Sequence, residues 1–118
     1  MLSTADLTAL RAAQEAAMPE TVTIKRLTLS DNGAGGFSES WGTASTVSGR
    51  IGPYNRQASE GVVAERLAGR AGYTVTLPAL TDVREADRLV VGTRTFEVVW
   101  VIRRTYETAR VVICAEVL

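Results

Sequence analysis

The chain has 118 residues, 46% of them hydrophobic and 22% charged, with thirteen cations balancing thirteen anions and a pI near 6.3. A chain of this length buries roughly two-thirds of the surface its unfolded form exposes, around one core, and the composition is globular rather than disordered. Neutrality argues against a general DNA binder, which needs a basic field. The absence of histidine removes Ser-His-Asp and Cys-His nucleophile systems together with the commonest metal ligand.

Residues 1–19, containing LSTADLTALRAAQEAAMP, predict an α-helix. Ser3 caps it with Asp6 three residues on, alanines fill the middle, and Pro19 blocks continuation. The stripe of Leu7, Leu10, Ala13 or Gln14, and Ala17 is too narrow for deep burial and predicts a surface helix. From Thr21 the period becomes two, with Val22 and Ile24 on one face. After Lys25 and Arg26 the phase slips to Leu27 and Leu29, the mark of a bulge.

The stretch DNGAGGFSESW at residues 31–41 has the glycine density of a phosphate cradle. Its glycines have neither the dinucleotide nor the P-loop spacing, and a strand pattern follows instead of a helix N-terminus. Asp31, Asn32 and the glycines at 33, 35 and 36 therefore predict a hairpin turn. FSESW places Phe37, Glu39 and Trp41 on one side of a strand, and VSGRIGPY, with Val47 and Ile51 in register before Pro53, predicts another.

Eighteen residues separate Tyr54 from Tyr73, a connection longer than the usual ~4–6. This loop, 55–72, contains a possible short helix over 59–67, with Val63 and Leu67 four apart. Arg56, Arg66 and Arg70 alternate with Val62, Val63 and Leu67, the mixture of arginine and apolar anchor found at protein interfaces; a loop with scattered charges is the alternative. Twelve of the thirteen cations are arginine, which suits interfaces and phosphates and equally fits a GC-rich genome.

GYTVTLP predicts a strand with Tyr73, Val75 and Leu77 on one face. Asp82, Glu85 and Asp87 lack the spacing of a calcium loop and predict a solvated turn. ADRLVVGTRTFEVVWVI reads as two strands joined at Gly92 and Thr93. The second carries Phe96, Val98 and Trp100 on one side and Val99 and Val101 on the other, as a buried central strand does. ARVVICAEVL is the last strand, with Cys114 as a small core residue. Arg103, Arg104 and Arg110 flank the last loop, placed to touch a phosphate backbone or a partner, or simply solvated. Trp41, Tyr54, Tyr73, Phe96 and Trp100 are either stacking platforms for single-stranded nucleic acid or core; their alternation favours core, so Trp41→Ala would cost ~3–5 kcal/mol.

These elements predict one mainly β domain over 1–118, a small closed or partly closed antiparallel β-barrel of about six or seven strands, with an N-terminal helix and a long loop. The residues point to no catalytic, cofactor or metal site. No run approaches the ~20 apolar residues of a membrane span, and the opening lacks the order of a signal peptide, which predicts use in a cytoplasm or in a particle assembled there.

The order and spacing of DNGAGGFSESW, VSGRIGPY, SEGVVAERLAG, GYTVTLP and DRLVVGTRTFEVVWV, within residues 22–117, resemble the head-tail joining proteins of long-tailed bacteriophages, also called head-completion or stopper proteins. The resemblance implies a small β-barrel without an enzymatic site, assembled in the host bacterial cytoplasm into a cyclic ring at the neck of a virion or gene transfer agent. The implied partners are copies of itself, portal and adaptor proteins on the head side, a tail-terminator protein on the tail side, and encapsidated DNA by proximity, with no membrane. The loop at 55–72 corresponds to the family's segment that reaches into the channel or across to neighbours. The family commonly begins the following strand with arginines, where this chain has Gly72-Tyr73-Thr74-Val75. Two other readings stand beside it: a tail-completion subunit of the same particle, and a small nucleic-acid-binding β-barrel.

Overall fold

The computed structural model describes residues 3–54, 67, 70–103 and 107–117. Helix α1 (Thr4–Ala16) opens with the expected capping box: the Asp6 N–H donates to the Ser3 hydroxyl at 3.1 Å, and the Ser3 N–H donates to the Asp6 carboxylate at 3.5 Å. None of its residues is buried. The helix is tied down by polar contacts instead, Arg11 Nε donating to the Glu107 carbonyl at 3.1 Å and an Arg50 Nη to Gln14 Oε1 at 2.8 Å.

Six antiparallel strands follow: β1 (Glu20–Asp31), β2 (Phe37–Pro53), β3 (Gly72–Pro78), β4 (Arg88–Val91), β5 (Arg94–Ile102) and β6 (Ala109–Val117). They close in the order β1-β2-β3-β6-β5-β4, the ring-like sheet that the alternating segments predict. Its interior is filled by Val22 and Ile24, Val75 and Leu77, Leu89 and Val91, Phe96, Val98 and Val101, and Val112 and Cys114. Each large side chain buried there stabilises the fold by roughly 1.5–3 kcal/mol. Gly49 lets β2 cross close over this core: a Cβ at that position would sit 2.8 Å from a Val22 methyl and 3.1 Å from the Thr76 carbonyl.

Two bulges decide which side chains reach the interior. In β5 the register shifts between Val98 and Trp100, leaving Val99 as the extra residue. Phe96 and Val98 therefore face inward, and Val101 rejoins them opposite Val112, while Trp100 turns outward opposite Ile113. The expected grouping of Trp100 with Phe96 and Val98 is corrected by that one residue. Outside the wall, Leu67, Val99, Ile113 and Ala115 form a second buried cluster with Tyr54, Trp100 and Ile102 against it, so β5 is apolar on both faces as its sequence predicts.

The other bulge lies between β1 and β2. Ile24 pairs with Ser45 but Lys25 pairs with Thr43, so the extra residue is Ala44, on β2. The two segments read as separate strands, FSESW and VSGRIGPY, are one strand through this bulge. By simple alternation Phe37, Glu39 and Trp41 would share the inward face of Val47; the extra residue inverts them. Trp41 pairs with Leu27, on the face opposite Ile24, and is half-buried beneath the Arg88 guanidinium at 4.3 Å. Phe37 is 71% exposed. The expected placement of Trp41 in the core is thus overturned, and Trp41→Ala is expected to lower stability by about 1–2 kcal/mol, through loss of partly buried ring area and of the cation–π contact. Urea unfolding of the variant measures this.

Beyond Lys25, the last β1 residue paired with β4, and before Arg50, the first β2 residue paired with β3, β1 and β2 continue as a two-stranded arm. Its tip is the expected turn. Asp31 Oδ1 accepts the Gly33 N–H at 2.8 Å, Asn32 Oδ1 accepts the N–H groups of Ala34 and Gly36 at 2.9 and 3.2 Å, and Gly33 and Gly35 take φ of 78° and 81°, which only glycine adopts readily.

Candidate interaction surface

The arm is positioned at its base by Arg26. Its Nε and one Nη donate to the two carboxylate oxygens of Asp87 at 3.1 and 2.8 Å, and the other Nη reaches Asp82 at 3.4 Å. Asp87 also accepts the Arg84 N–H at 3.0 Å, and its carbonyl accepts the Val98 N–H at 2.9 Å. The turn expected to be solvated is therefore partly interior: Asp87 is 4% exposed because it carries a bidentate charge-assisted pair. That pair joins β1, the turn and β5 where β1 leaves the barrel. The hydrogen bonds to Asp87 raise the Arg26 pKa, and Arg84 chiefly lowers that of Asp82.

Past this clamp, β1–β2 pairing places Leu27 opposite Trp41, Leu29 opposite Glu39 and Asp31 opposite Phe37. One face of the arm consequently carries the apolar stripe of Leu27, Leu29, Phe37 and Trp41, with Leu29 55% and Phe37 71% exposed, interspersed with the carboxylates of Asp31 and Glu39. The other carries Thr28, Ser30, Ser38 and Ser40. The sequence reading missed this surface, although its signal, the slip to Leu27 and Leu29, was visible.

At the opposite end of the barrel, Tyr73 meets Phe96 edge to face at 5.3 Å. Arg94 lies 5.1 Å above Tyr73 and 4.9 Å above Phe96 while holding Glu116 through contacts of 2.9 and 3.2 Å. The hydrogen bond from Arg94 keeps the Glu116 carboxyl below its ordinary range. A hollow of about 490 Å³ beside it is lined by Arg70, Ala71, Tyr73, Glu97, Glu116 and Val117. Its charges neutralise one another as Arg94–Glu116 and Arg70–Glu97 pairs.

Of the loop residues singled out from the sequence, Arg56, Val62, Val63 and Arg66 lie outside the described residues, as does Arg104. Leu67 is 1% exposed and packs in the outer cluster, holding its end of the 55–72 segment to the barrel wall. Arg70 donates from Nε to the Leu67 carbonyl at 3.0 Å and lies 3.7 Å from Glu97. Arg103 pairs with Glu85 at 3.3 Å and lowers its pKa, its own side chain 54% exposed. Arg110 is turned inward, donating to the Glu107 carboxylate at 3.1 Å and the Thr81 carbonyl at 3.1 Å. The structure brings Leu67 and Arg70 together and sets Arg103 and Arg110 to different tasks.

Cys114 is fully buried in the barrel interior, and burial pushes its thiol well above the ordinary range. The native protein is expected to resist alkylation at pH 8 and to react only after unfolding, which mass spectrometry with and without urea measures. Among the described residues no cluster of three or more metal-ligating side chains occurs, and no helix is long and apolar enough to cross a membrane.

A family model described as phage head completion protein matches residues 14–117. Two solved structures share the fold. Protein SF1141 from Shigella flexneri 2a, determined in solution, superposes with a TM-score of 0.65 at 14% identity over 84% of this chain and 92% of that one. A chain from the virion of a native gene transfer agent particle superposes with a TM-score of 0.55 at 19% identity, over 84% of this chain and 93% of that one. At these identities the likeness is one of fold. No curated protein matches the chain.

Proposed function

The chain belongs to the phage head completion protein family, and from that premise we propose that it is a non-enzymatic subunit of the head-tail connector, in a ring below the portal and adaptor that closes the DNA channel and offers the tail its attachment surface. A structural role in the virion follows from membership of the family. The family match across nearly the whole chain carries the reading. Composition supports a place at the channel: a neutral subunit does not grip DNA that must later leave through it. The 55–72 segment, with Arg56, Val62, Val63 and Arg66 beyond the part anchored by Leu67, remains the proposed element for channel or neighbour contact.

The test is complementation with filled heads lacking the protein. Addition of the purified chain is expected to retain packaged DNA and permit tail attachment, and chain that fails to bind the portal-side assembly would sink the connector reading. A tail-completion role would show instead as binding to isolated tails. The nucleic-acid-binding alternative has exposed Phe37 and half-buried Trp41 in its favour, but they share a face with Glu39 and Asp31, which repel a phosphate backbone. A salt titration that finds no single-strand affinity removes it.

A further inference from the structure

Among the described residues the longest open strand edges are those of the β1–β2 hairpin. Residues 26–31 of β1 and 37–49 of β2 pair on one side only, with β2 and β1 respectively, and have no described strand on the other. The Asn32 N–H donates to the Gly36 carbonyl at 3.2 Å. Antiparallel alternation from that pair turns the backbone groups of Leu27, Leu29 and Asp31, and of Phe37, Glu39 and Trp41, outward along the two edges. Residues 37–49 contain no proline or lysine, and Glu39 is their one charge. An edge this long without such guards is a template for another strand.

We propose that each arm pairs edge to edge with the arms of neighbouring copies of the same chain, β1 of one against β2 of the next, closing into a ring. The inference rests on the virion structural role proposed above and locates its self-contact on the arm. A second copy supplies both a matching edge and a matching stripe of Leu27, Leu29, Phe37 and Trp41. In a cyclic ring all arms point the same way. Because β1 and β2 are antiparallel within each arm, β1 against the neighbour's β2 is antiparallel again, and the ladder continues around the ring. The contact joins two different edges, the head-to-tail kind that rings require.

Size decides between ring and dimer. With Phe37 at 71%, Leu29 at 55% and Leu27 at 36% exposure, the apolar stripe offers on the order of 300 Å², where exposed patches become functional. A stable two-body interface needs about 800 Å² per partner. One arm contact falls short of that, whereas a ring gives every chain two and cannot lose a copy without breaking both.

The test follows self-association of the full chain to millimolar concentration by native mass spectrometry and sedimentation velocity. Glu39→Pro removes an outward N–H without touching the arm's own ladder, and the double variant Leu29→Ser/Phe37→Ser removes the apolar stripe from the merged face. Leu10→Lys changes an exposed leucine on α1 as a control. Wild type and Leu10→Lys are expected to form species of three or more copies, and both arm variants to need at least tenfold higher concentration. Native protection of Cys114 from alkylation shows that the barrel of each variant is folded. Wild type that stays monomeric, association that stops at a dimer, or rings that survive in both folded arm variants overturns the proposal. Detection of the wild-type chain in purified particles tests the virion role separately, so a virion protein that is monomeric alone overturns the arm contact only.

Discussion

Phe96→Ala is expected to lower the free energy of unfolding by about 3–5 kcal/mol, among the largest losses of any single substitution in this chain. Phe96 is fully buried, packs edge to face with Tyr73 at 5.3 Å, and supports the Arg94 guanidinium at 4.9 Å. Truncation removes the transfer free energy of the ring and leaves a cavity. The surrounding strands cannot fill it, because a closed barrel holds β4 and β6 at fixed distance on either side of β5. Phe96→Leu retains most of the volume and is expected to cost less than about 1.5 kcal/mol. Urea unfolding measures both. An unchanged slope with a shifted midpoint assigns the effect to the native state, and an alanine variant that unfolds like wild type would show that the interior is not packed around this ring.

Arg110→Ala is expected to cost a comparable ~3–5 kcal/mol, for an electrostatic reason. The Glu107 side chain is 1% exposed and lies 3.0 Å from an Arg110 Nη. Its Oε1 also accepts the Leu80 N–H at 2.6 Å, whereas Oε2 is buried without a hydrogen-bond partner among the described residues. Removal of the guanidinium leaves a desolvated carboxylate with one backbone donor, and costs the Thr81 carbonyl its donor as well. Replacing both charges, as in Glu107→Leu with Arg110→Met, removes the orphaned charge and is expected to recover most of the loss. A double-mutant cycle by chemical denaturation measures the coupling. If the single substitution is neutral, Glu107 is not held as a buried carboxylate by Arg110.

The local signals were legible wherever a residue type has one physical use. Ser3 and Asp6 formed their capping box, and Asp31 and Asn32 with the glycines at 33 and 35 formed the arm tip, since these depend on neighbours within a few residues. The core alternation of Val22 with Ile24 and of Val75 with Leu77 was legible for the same reason. What alternation could not reveal is where a strand inserts an extra residue against its partner. A slip was visible at Leu27 in β1, yet the extra residue is Ala44 on β2, Trp41's own strand, and it is this residue that sends Trp41 outward. Likewise Trp100 left the core because of Val99. Asp87 looked like turn solvent because its partner, Arg26, stands 61 positions away.

By itself, then, the order of residues determined a neutral, mainly β chain with a capped helix, its turn positions and most of its strands, because hydrophobic period, proline and glycine act over distances of a few residues. Only the tertiary structure decided in what order the strands close, that β1 and β2 outrun the barrel as an arm, and that Leu27, Leu29, Phe37 and Trp41 gather on one of its faces. The physical reason is register: one inserted residue exchanges the two faces of every position beyond it, and register belongs to a pair of strands rather than to either sequence alone.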